Sequence, residues 1–324
     1  MKRLKIVGIF ILLITVAGYS FANTEAKTDK KEQVIVFHAG SLSVPLKIIK
    51  KAYEKKYPNV NVIMEASGSR MCARKISELH QRCDVIMSAD YTVIKELLMP
   101  KYASWYIENE LNQMAIVYTD KAKYSDKINS KNWYKILLKK GVISGHSNPD
   151  DDPCGYESII VMKLASKYYG IPDLYKQIEK NSPMTRPMEM NLLALLQEGE
   201  IDYAFLYKSV AEQQKLNYVT LPDKINLGSL KYADYYKTVE IKLTGKQPGT
   251  YIIKKGAPMI YGLTIPTNAP DKKAAIQFIK FLLGKDGQKI MKECGMTPIE
   301  KAPNNTYSKI PKQLQKFALP YNYK

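Results

Sequence analysis

Residues 33–88 read QVIVFHAGSLSVPLKIIKKAYEKKYPNVNVIMEASGSRMCARKISELHQRCDVIMS, and strand-like and helix-like segments alternate through this stretch. Short apolar runs at residues 34–37, 60–64 and 84–88 are typical of buried strands. Between these runs, apolar residues at helical spacing predict helices over residues 45–57 and 70–80. Because the connections are short, the sequence predicts a β-α-β-α-β unit within a layered α/β fold.

The rest of the chain predicts a second α/β unit and a return to the first. We expect a strand at 113–118 to leave the first unit, helices near 156–169, 174–180 and 190–197, and strands at 202–206 and 237–243. Strands at 251–254 and 259–265 are expected to carry the chain back, and helices at 272–283, 288–293 and about 309–317 to end it. Two crossings are typical of hinged lobes with a ligand cleft beyond the C-terminal ends of their strands. We therefore expect lobe 1 at residues 33–117 plus 260–324, and lobe 2 at 118–259.

The N terminus predicts export. Three basic residues precede an apolar run at 6–19, and Ser20-Phe21-Ala22 offers the small-x-small pattern of a signal peptidase site. The apolar run is shorter than the roughly 20 residues that a membrane span needs. We expect a signal peptide at residues 1–22, a polar leader at 23–32, and a soluble periplasmic or extracytoplasmic protein. No Cys lies near the cleavage point, so we expect a freely diffusing protein without a lipid anchor.

Composition and charge narrow the class of partner. With 45% hydrophobic and 25% charged residues, the chain has an ordinary globular composition, which disfavours disordered and repeat architectures. The formal net charge is +18, and loss of Lys2, Arg3 and Lys5 with the signal peptide leaves +15. This surplus favours anionic partners, which could be nucleic acid, lipid headgroups or small oxyanions. Export argues against nucleic acid.

The cysteines leave a disulfide open. An even number of cysteines in an oxidising compartment makes a bond possible, and the Cys72–Cys83 pair is the first to consider because the two flank one short helix. The spacing alone cannot supply the geometry that a disulfide requires. There is no Cys-x-x-Cys pair and the three histidines are scattered, so no zinc pattern is present.

Two loops at strand-to-helix junctions carry hydroxyls and glycines, at residues 38–43 and 66–69. A helix N terminus there presents free N–H groups and the positive end of its dipole, which favours an anion. Plain helix capping by serine is the alternative for either loop. Two such loops in consecutive βα units favour a shared ligand. Three more clusters stand at predicted helix starts, at residues 147–156, 186–196 and 202–211.

Several motifs carry a family resemblance. They are HAGSLSVP (38–45), EASGS (65–69), ARKI (73–76), CDVIMSADY (83–91), SNPDDDPCGY (147–156), RPME (186–189), LLALLQEGEIDYAFLYKSVA (192–211) and LPDKINLG (221–228). Together and in this order, they resemble the tungstate/molybdate-binding proteins of the WtpA/ModA type, the solute receptors of ABC importers. The resemblance runs from about Val34 to about Thr297.

The resemblance implies a type II periplasmic binding protein, two α/β lobes joined by crossing strands, that is not an enzyme and needs no cofactor. Its implied ligand is tungstate or molybdate, and its implied partners are the membrane permease and ATPase subunits of an ABC importer. We expect a monomer that does not bind nucleic acid. The implied oxyanion-binding residues are Gly40, Ser41, Ser69, Asp152, Pro153, Cys154, Glu189 and Tyr207. Among these, the resemblance makes Asp152 and Glu189 carboxylate ligands that complete six-coordination of the metal.

A physical argument supports two carboxylates in such a site. Like charges in a closed cleft repel, so a carboxylate pair disfavours sulfate and phosphate. Molybdenum and tungsten can accept further oxygen ligands, which rewards the larger oxyanions. The alternative is that Glu189 only caps its helix and Asp152 only makes a turn. We expect Cys154 to keep a neutral thiol beside a dianion.

Two other functions remain open from the sequence. One is a receptor of the same fold for sulfate or phosphate. The other is a periplasmic enzyme, which the absence of a G-x-S-x-G motif and of a base for Ser41 or Ser69 disfavours.

Overall fold

The computed structural model describes residues 31–181 and 184–321, so the predicted signal peptide and most of the leader lie outside the described residues. The strands are β1 (Glu32–Ala39), β2 (Val60–Ser67), β3 (Val85–Ser88), β4 (Ile107–Leu111), β5 (Met114–Tyr118), β6 (Ser144–Ser147), β7 (Met184–Arg186), β8 (Tyr203–Tyr207), β9 (Asn217–Thr220), β10 (Glu240–Thr244), β11 (Tyr251–Lys255), β12 (Ile260–Thr264), β13 (Thr297–Pro298), β14 (Ala302–Asn304) and β15 (Ala318–Pro320). The helices are α1 (Ser43–Lys56), α2 (Ser69–Ser77), α3 (Tyr91–Val93), α4 (Trp133–Leu137), α5 (Pro153–Tyr169), α6 (Leu174–Asn181), α7 (Glu189–Glu198), α8 (Lys208–Gln213), α9 (Ala233–Tyr236), α10 (Lys272–Leu282) and α11 (Lys285–Glu293).

The first sheet contains the predicted β-α-β-α-β unit. Within the described residues it has six strands in the order β13-β4-β12-β3-β1-β2. Strand β1 is parallel to β2 and β3, whereas β12 is antiparallel to β3 and β4. The side chains of Val34, Val36 and Val62 are fully buried, and each such burial stabilises the fold by about 1.5–3 kcal/mol. Because β1 and β2 are parallel, their C-terminal ends lie side by side, with Ala39 opposite Ser67.

The second sheet belongs to the middle of the chain. Its strands, counted over the described ranges, are five in the order β7-β6-β8-β5-β9. Strand β6 is parallel to both β7 and β8. The C-terminal ends of these three strands therefore meet at one edge, where α5, α7 and α8 begin.

The chain passes between the two sheets twice. The first crossing is at Asn112 and Gln113, between β4 of the first sheet and β5 of the second. The return lies at residues 256–259, just before β12. The prediction that the strand at 251–254 carries the chain back is wrong, because β11 pairs with β10 in a separate antiparallel hairpin, with Glu240 opposite Lys255. Sequence periodicity identifies a strand but not its partner.

The helix predicted at about 309–317 is also wrong. The structure has short 3-10 turns at Tyr307–Lys309 and Gln315–Phe317, followed by β15. Pro311 has no N–H to donate and pushes the residue before it out of the helical region. Ile310 accordingly has φ −67° and ψ 133°.

Helix α1 shows how the layers pack. It buries Leu46, Ile49 and Tyr53 at helical spacing, and the Tyr53 ring meets Phe278 of α10 edge to face, with ring centroids 5.2 Å apart. In the described part of the chain, none of the helices is long and apolar enough to cross a membrane.

The structure shows that Cys72 and Cys83 do not form a disulfide. All four cysteines, which lie in the described ranges, are free and buried. The Cys72 thiol donates to the carbonyl of His38 at 3.7 Å, and the Cys83 thiol donates to the carbonyl of Val85 at 3.2 Å. Each thiol of the candidate pair therefore has its own backbone acceptor.

We predict that the protein unfolded in denaturant without reductant reacts with a thiol reagent at all four cysteines. The folded protein should react far more slowly, because burial raises the pKa of Cys72 to about 12 and lowers access to the thiols. A colorimetric thiol titration measures both. Only two reactive thiols in the unfolded chain would contradict this account.

Candidate functional site

The two serine loops lie where β1 and β2 end. Ser41 lies in a 3-10 turn at Gly40–Leu42 that leads into α1, and Ser69 is the first residue of α2. Both serine side chains are fully buried. The Ser69 hydroxyl accepts a hydrogen bond from the backbone N–H of Ala89 at 2.9 Å, so its own proton stays available to a ligand.

Asp152 joins the start of two helices of the second sheet. It is the N-cap of α5, with Pro153 as the first helical residue and Cys154 as the second. Its Oδ1 accepts from the N–H of Cys154 at 3.3 Å, and its Oδ2 accepts from the N–H of Glu189, the first residue of α7, at 2.9 Å. The sequence predicted that α5 starts near Tyr156, three residues after its actual start at Pro153. The N-cap role of Asp152 was therefore not predicted.

The loops of the two sheets are in contact, and glycines allow it. A Cβ on Gly40 would lie 2.9 Å from Glu189 Oε1, and a Cβ on Gly68 would lie 2.3 Å from the carbonyl oxygen of Asp151. The same carbonyl accepts from the N–H of Met71 at 3.2 Å. The structure therefore brings the Gly40–Ser41 turn to Glu189, and the start of α2 to the loop before α5.

Several buried polar atoms at this junction make no well-formed hydrogen bond to the described residues. They are Ser147 Oγ, Glu157 Oε2, both Glu189 carboxyl oxygens and Tyr207 Oη. Buried polar groups without partners are costly and rare in folded proteins. A polyatomic polar ligand would satisfy such a cluster, whereas four separate structural roles would not explain why the atoms lie on helix starts that meet.

The two carboxyls influence each other. Burial raises the pKa of Glu189 well above its ordinary value, and the adjacent Asp152 raises it further. Burial also raises the pKa of Asp152, and hydrogen bonds such as the one from the N–H of Glu189 oppose this rise. Because Asp152 accepts two backbone hydrogen bonds, it is the member of the pair that more readily stays ionised. Burial raises the pKa of the Cys154 thiol well above its ordinary value, so the thiol is neutral.

Tyr207 ends β8 and has an unpredicted neighbour. Its side chain is fully buried, and its hydroxyl faces the carboxyl of Glu157 on α5. Burial raises the pKa of Glu157 well above its ordinary value, so this acid is a neutral group at the site. Its position one turn after Cys154 on the same helix was the available signal in the sequence.

Ser41 also has an unpredicted partner from far along the chain. Its Oγ lies 2.8 Å from the hydroxyl oxygen of Tyr261 in β12, and the Tyr261 hydroxyl in turn accepts from Asn112 at 3.2 Å. No local pattern pairs residues 220 positions apart, so neither Tyr261 nor Asn112 was predicted from the sequence.

A buried ionic contact holds the two lobes together beside the site. Asp90, which follows β3, accepts from the Tyr156 hydroxyl of α5 at 2.6 Å and pairs with the Lys254 ammonium of β11 at 2.5 Å. Burial alone would raise the pKa of Asp90, but Lys254, Tyr156 and the N–H of Thr92 hold it below its ordinary value. A lowered carboxyl pKa means that the contact is intact at neutral pH and is lost only as acid protonates Asp90.

A second contact between lobes starts from the helix that Ser69 opens. The fully buried Arg70 side chain donates to the carbonyl of Asp150 at 3.0 Å and to the carbonyl of Thr244 in the β10–β11 hairpin. Arg74, one turn later, donates to the carbonyl of Asp150 at 3.1 Å and to the hydroxyl of Thr244 at 2.8 Å. The hairpin thus fastens lobe 2 onto the helix that carries Ser69.

The carboxyl pair does not by itself make a cation site. In residues 31–181 and 184–321, no group of three or more His, Cys, Asp and Glu side chains is arranged to hold a metal ion. Two carboxylates beside hydroxyl and N–H donors suit a metal that brings its own oxygens.

Comparison with known proteins supplies the family. The model of the bacterial extracellular solute-binding protein family matches residues 34–297. The chain is 40% identical over 322 residues to the molybdate/tungstate-binding protein WtpA of Thermococcus kodakarensis, covering 90% of this chain and 89% of that protein. It is 50% identical over 301 residues to an uncharacterized solute-binding protein of Petrotoga mobilis, covering 92% of this chain and 94% of that protein.

The fold is similar to that of a solved structure. The periplasmic molybdate-binding protein of Azotobacter vinelandii superposes with a TM-score of 0.61 at 16% identity, covering 82% of this chain and 98% of that chain. At this identity the likeness concerns the fold alone. It confirms the predicted fold of a periplasmic binding protein with two α/β lobes.

We predict that Tyr156→Phe weakens closure of the lobes. The variant removes a hydrogen bond to an ionised acid, worth about 1.5–3 kcal/mol. A less populated closed form lowers apparent affinity in proportion, so affinity for tungstate, the expected ligand, should fall roughly ten- to hundredfold. Calorimetric titration measures it. Tyr168→Phe, on the same helix but 41% exposed, is the control. Equal affinity of both variants and the wild type would contradict a closing role for Tyr156.

Proposed function

The chain belongs to the bacterial extracellular solute-binding protein family, and on this premise we propose that it captures tungstate or molybdate outside the cell and delivers it to an ABC importer. The resemblance drawn from the motifs is confirmed by the match to WtpA proteins. The single observation that carries the choice of ligand is the group of buried polar atoms around Asp152 and Glu189 that lack well-formed hydrogen bonds.

The donors of the site suit a tetrahedral oxyanion. The helices that follow Ser41, Asp152 and Tyr207, and the one that Ser69 opens, all present their N termini at the junction of the lobes. Such termini favour negative charge. The Ser69 hydroxyl is already an acceptor toward Ala89, so toward a ligand it acts as a donor, as an oxyanion requires.

The carboxyls select among oxyanions. A carboxylate facing sulfate or phosphate adds like-charge repulsion in a buried site. With tungstate or molybdate, the same carboxylates can become ligands of the metal, because these metals accept more than four oxygens. We propose that Asp152 and Glu189 take this role. Gly40, Ser41, Ser69, Pro153, Cys154 and Tyr207 would surround the oxygens of the anion.

The position of Glu189 supports a role beyond capping. Asp152 does cap α5, as the alternative reading expected, but it also binds the N–H of Glu189 at 2.9 Å. The Glu189 carboxyl, in contrast, makes no well-formed hydrogen bond to the described residues, although the backbone N–H groups of Ser41 and Glu189 lower its pKa against the larger effect of burial. The carboxyl of a purely capping glutamate would accept well-aligned hydrogen bonds from backbone N–H groups.

The wider role follows from the family. We propose a binding protein without enzymatic activity or a cofactor, exported by its signal peptide, that acts as a monomer. Its partners would be the permease and ATPase subunits of the importer. We further propose that the lobes hinge at the two crossings. The lobe boundaries at 117/118 and 259/260 remain a prediction, and the strand order favours placing the first crossing at Asn112–Gln113.

Calorimetric titration of the purified protein with tungstate, molybdate, sulfate and phosphate tests the function. We expect binding of tungstate and molybdate, accompanied by an increase in melting temperature, and much weaker binding of sulfate and phosphate. Equal affinity for sulfate would make the protein a general oxyanion receptor and would contradict the proposed ligand.

Two variants separate selectivity from general affinity in the same assay. Glu189→Gln should weaken tungstate binding while leaving sulfate unchanged or improved, because the carboxyl that would become a ligand of the metal is gone and sulfate makes no use of it. Ser69→Ala should weaken every oxyanion by a similar factor, roughly ten- to hundredfold, the worth of a charge-assisted hydrogen bond of about 1.5–3 kcal/mol. If Glu189→Gln lowers both anions equally, or neither, the carboxyl is structural.

A further inference from the structure

A chain of buried polar groups runs from the first crossing to Ser41. Asn112 Nδ2 lies 2.7 Å from Ser209 Oγ and 3.2 Å from the hydroxyl oxygen of Tyr261, and that oxygen lies 2.8 Å from Ser41 Oγ. The side chains of Ser41, Ser209 and Tyr261 are fully buried, and Asn112 is 7% exposed. Within a buried chain of this kind, each group must donate or accept in a defined direction.

The orientation of the Asn112 amide sets that direction. Asn112 Oδ1 accepts from the backbone N–H of Gln113 at 2.9 Å. A backbone N–H can only donate, so the oxygen of the amide must lie on this side and its NH₂ group on the other. The NH₂ group therefore donates to Ser209 and to Tyr261.

Within this row of buried polar groups, the Tyr261 hydroxyl then has one acceptor left for its proton. Its hydroxyl oxygen accepts from Asn112, so its own proton is donated to Ser41 Oγ. Burial raises the pKa of Tyr261 well above its ordinary value, so the phenol keeps this proton at neutral pH. The Ser41 oxygen is thereby engaged as an acceptor, and the Ser41 proton is left for another partner.

We propose that Tyr261 is a positioning residue that makes Ser41 a hydrogen-bond donor toward the bound oxyanion. This inference rests on the proposed function, and it assigns to Tyr261 no contact with the ligand. Without the phenol proton, the Ser41 hydroxyl could turn in either direction. An anion offers only acceptors, so a fixed donor at Ser41 favours binding.

Ser69 shows the same arrangement by a different route. Its oxygen is engaged by the backbone N–H of Ala89, so this hydroxyl also presents its proton. The hydroxyl oxygens of both serines of lobe 1 thus accept a hydrogen bond from the protein. Ser69 accepts from the backbone and Ser41 accepts from a side chain, so each keeps its proton for the ligand. The Tyr261 hydroxyl can be removed by the conservative change to Phe, whereas the N–H of Ala89 belongs to the backbone.

This row of hydrogen-bonded side chains extends from the site to both points where the polypeptide crosses between the sheets. Asn112 lies in the first crossing, Tyr261 lies in β12 directly after the second, and Ser209 lies in α8 on the side of the second sheet. The direction of the Ser41 proton therefore depends on groups that lie where the lobes are joined.

A double-mutant cycle by calorimetric titration with tungstate tests this proposal. Tyr261→Phe in the wild-type background should weaken binding about three- to tenfold, the worth of one fixed hydrogen bond. In a Ser41→Ala background, the same substitution should change affinity by less than about twofold. Equal losses in both backgrounds, or no loss in the wild-type background, would overturn the proposal.

Tyr203→Phe is the matched control. Tyr203 is also fully buried and its hydroxyl donates to the carbonyl of Lys123, but it lies at the opposite end of β8 from Tyr207. It should lower the melting temperature of the ligand-free protein without changing affinity. Should Tyr261→Phe fail to melt cooperatively, Asn112→Ala gives the second variant. It leaves the phenol free to turn, and should reduce affinity in the wild-type but not in the Ser41→Ala background.

The wild-type titrations separate this inference from the proposed function. If the wild type binds sulfate and not tungstate, the proposed ligand is wrong, and the cycle run with sulfate still decides the role of Tyr261. If the wild type binds none of tungstate, molybdate, sulfate and phosphate, both proposals are overturned.

Discussion

The Asp152 carboxylate is the point on which the site depends. One of its oxygens accepts from the N terminus of α5 and the other from the N terminus of α7, so a single side chain fixes two helices of lobe 2 relative to each other. This fixes the place of Glu189, and the loop before Asp152 in turn receives the start of α2 from lobe 1. Moving Asp152 would therefore separate the donors of one lobe from the carboxyls of the other.

The site combines groups that favour an anion with groups that oppose it. Helix N termini and hydroxyls attract negative charge, while a buried carboxylate repels it. Under the proposed function, the arrangement suits an anion whose central atom can use the carboxylates as ligands. Basic side chains are paired with acids away from the proposed ligand. Asp90 pairs with Lys254 across the contact of the lobes, and Arg70 pairs with Glu96 beside it. Under the proposed function, such pairs stabilise the contact of the lobes without placing a basic side chain against the anion.

Local patterns predicted much of this structure. The β-α-β-α-β unit and its two serine loops follow from periodicity and capping preferences within short windows. The strand at 259–265 does return the chain to the first sheet. The return role given to the strand at 251–254 and the helix near residue 309 were wrong, because pairing of β10 with β11 is a tertiary choice and because Pro311 interrupts the pattern. The groups that orient the site, among them Asn112, Glu157 and Tyr261, were missed. The roles of Asn112 and Tyr261 arise from contacts between segments distant in sequence, which no local window contains, whereas Glu157 follows Cys154 by one helical turn.

X-ray absorption spectroscopy at the tungsten edge of the tungstate-bound protein tests most directly whether the carboxyl pair ligates the metal. We expect six oxygen neighbours around tungsten, four of them at short distances and two at longer distances from Asp152 and Glu189. A spectrum with only the four short neighbours of free tungstate would contradict it.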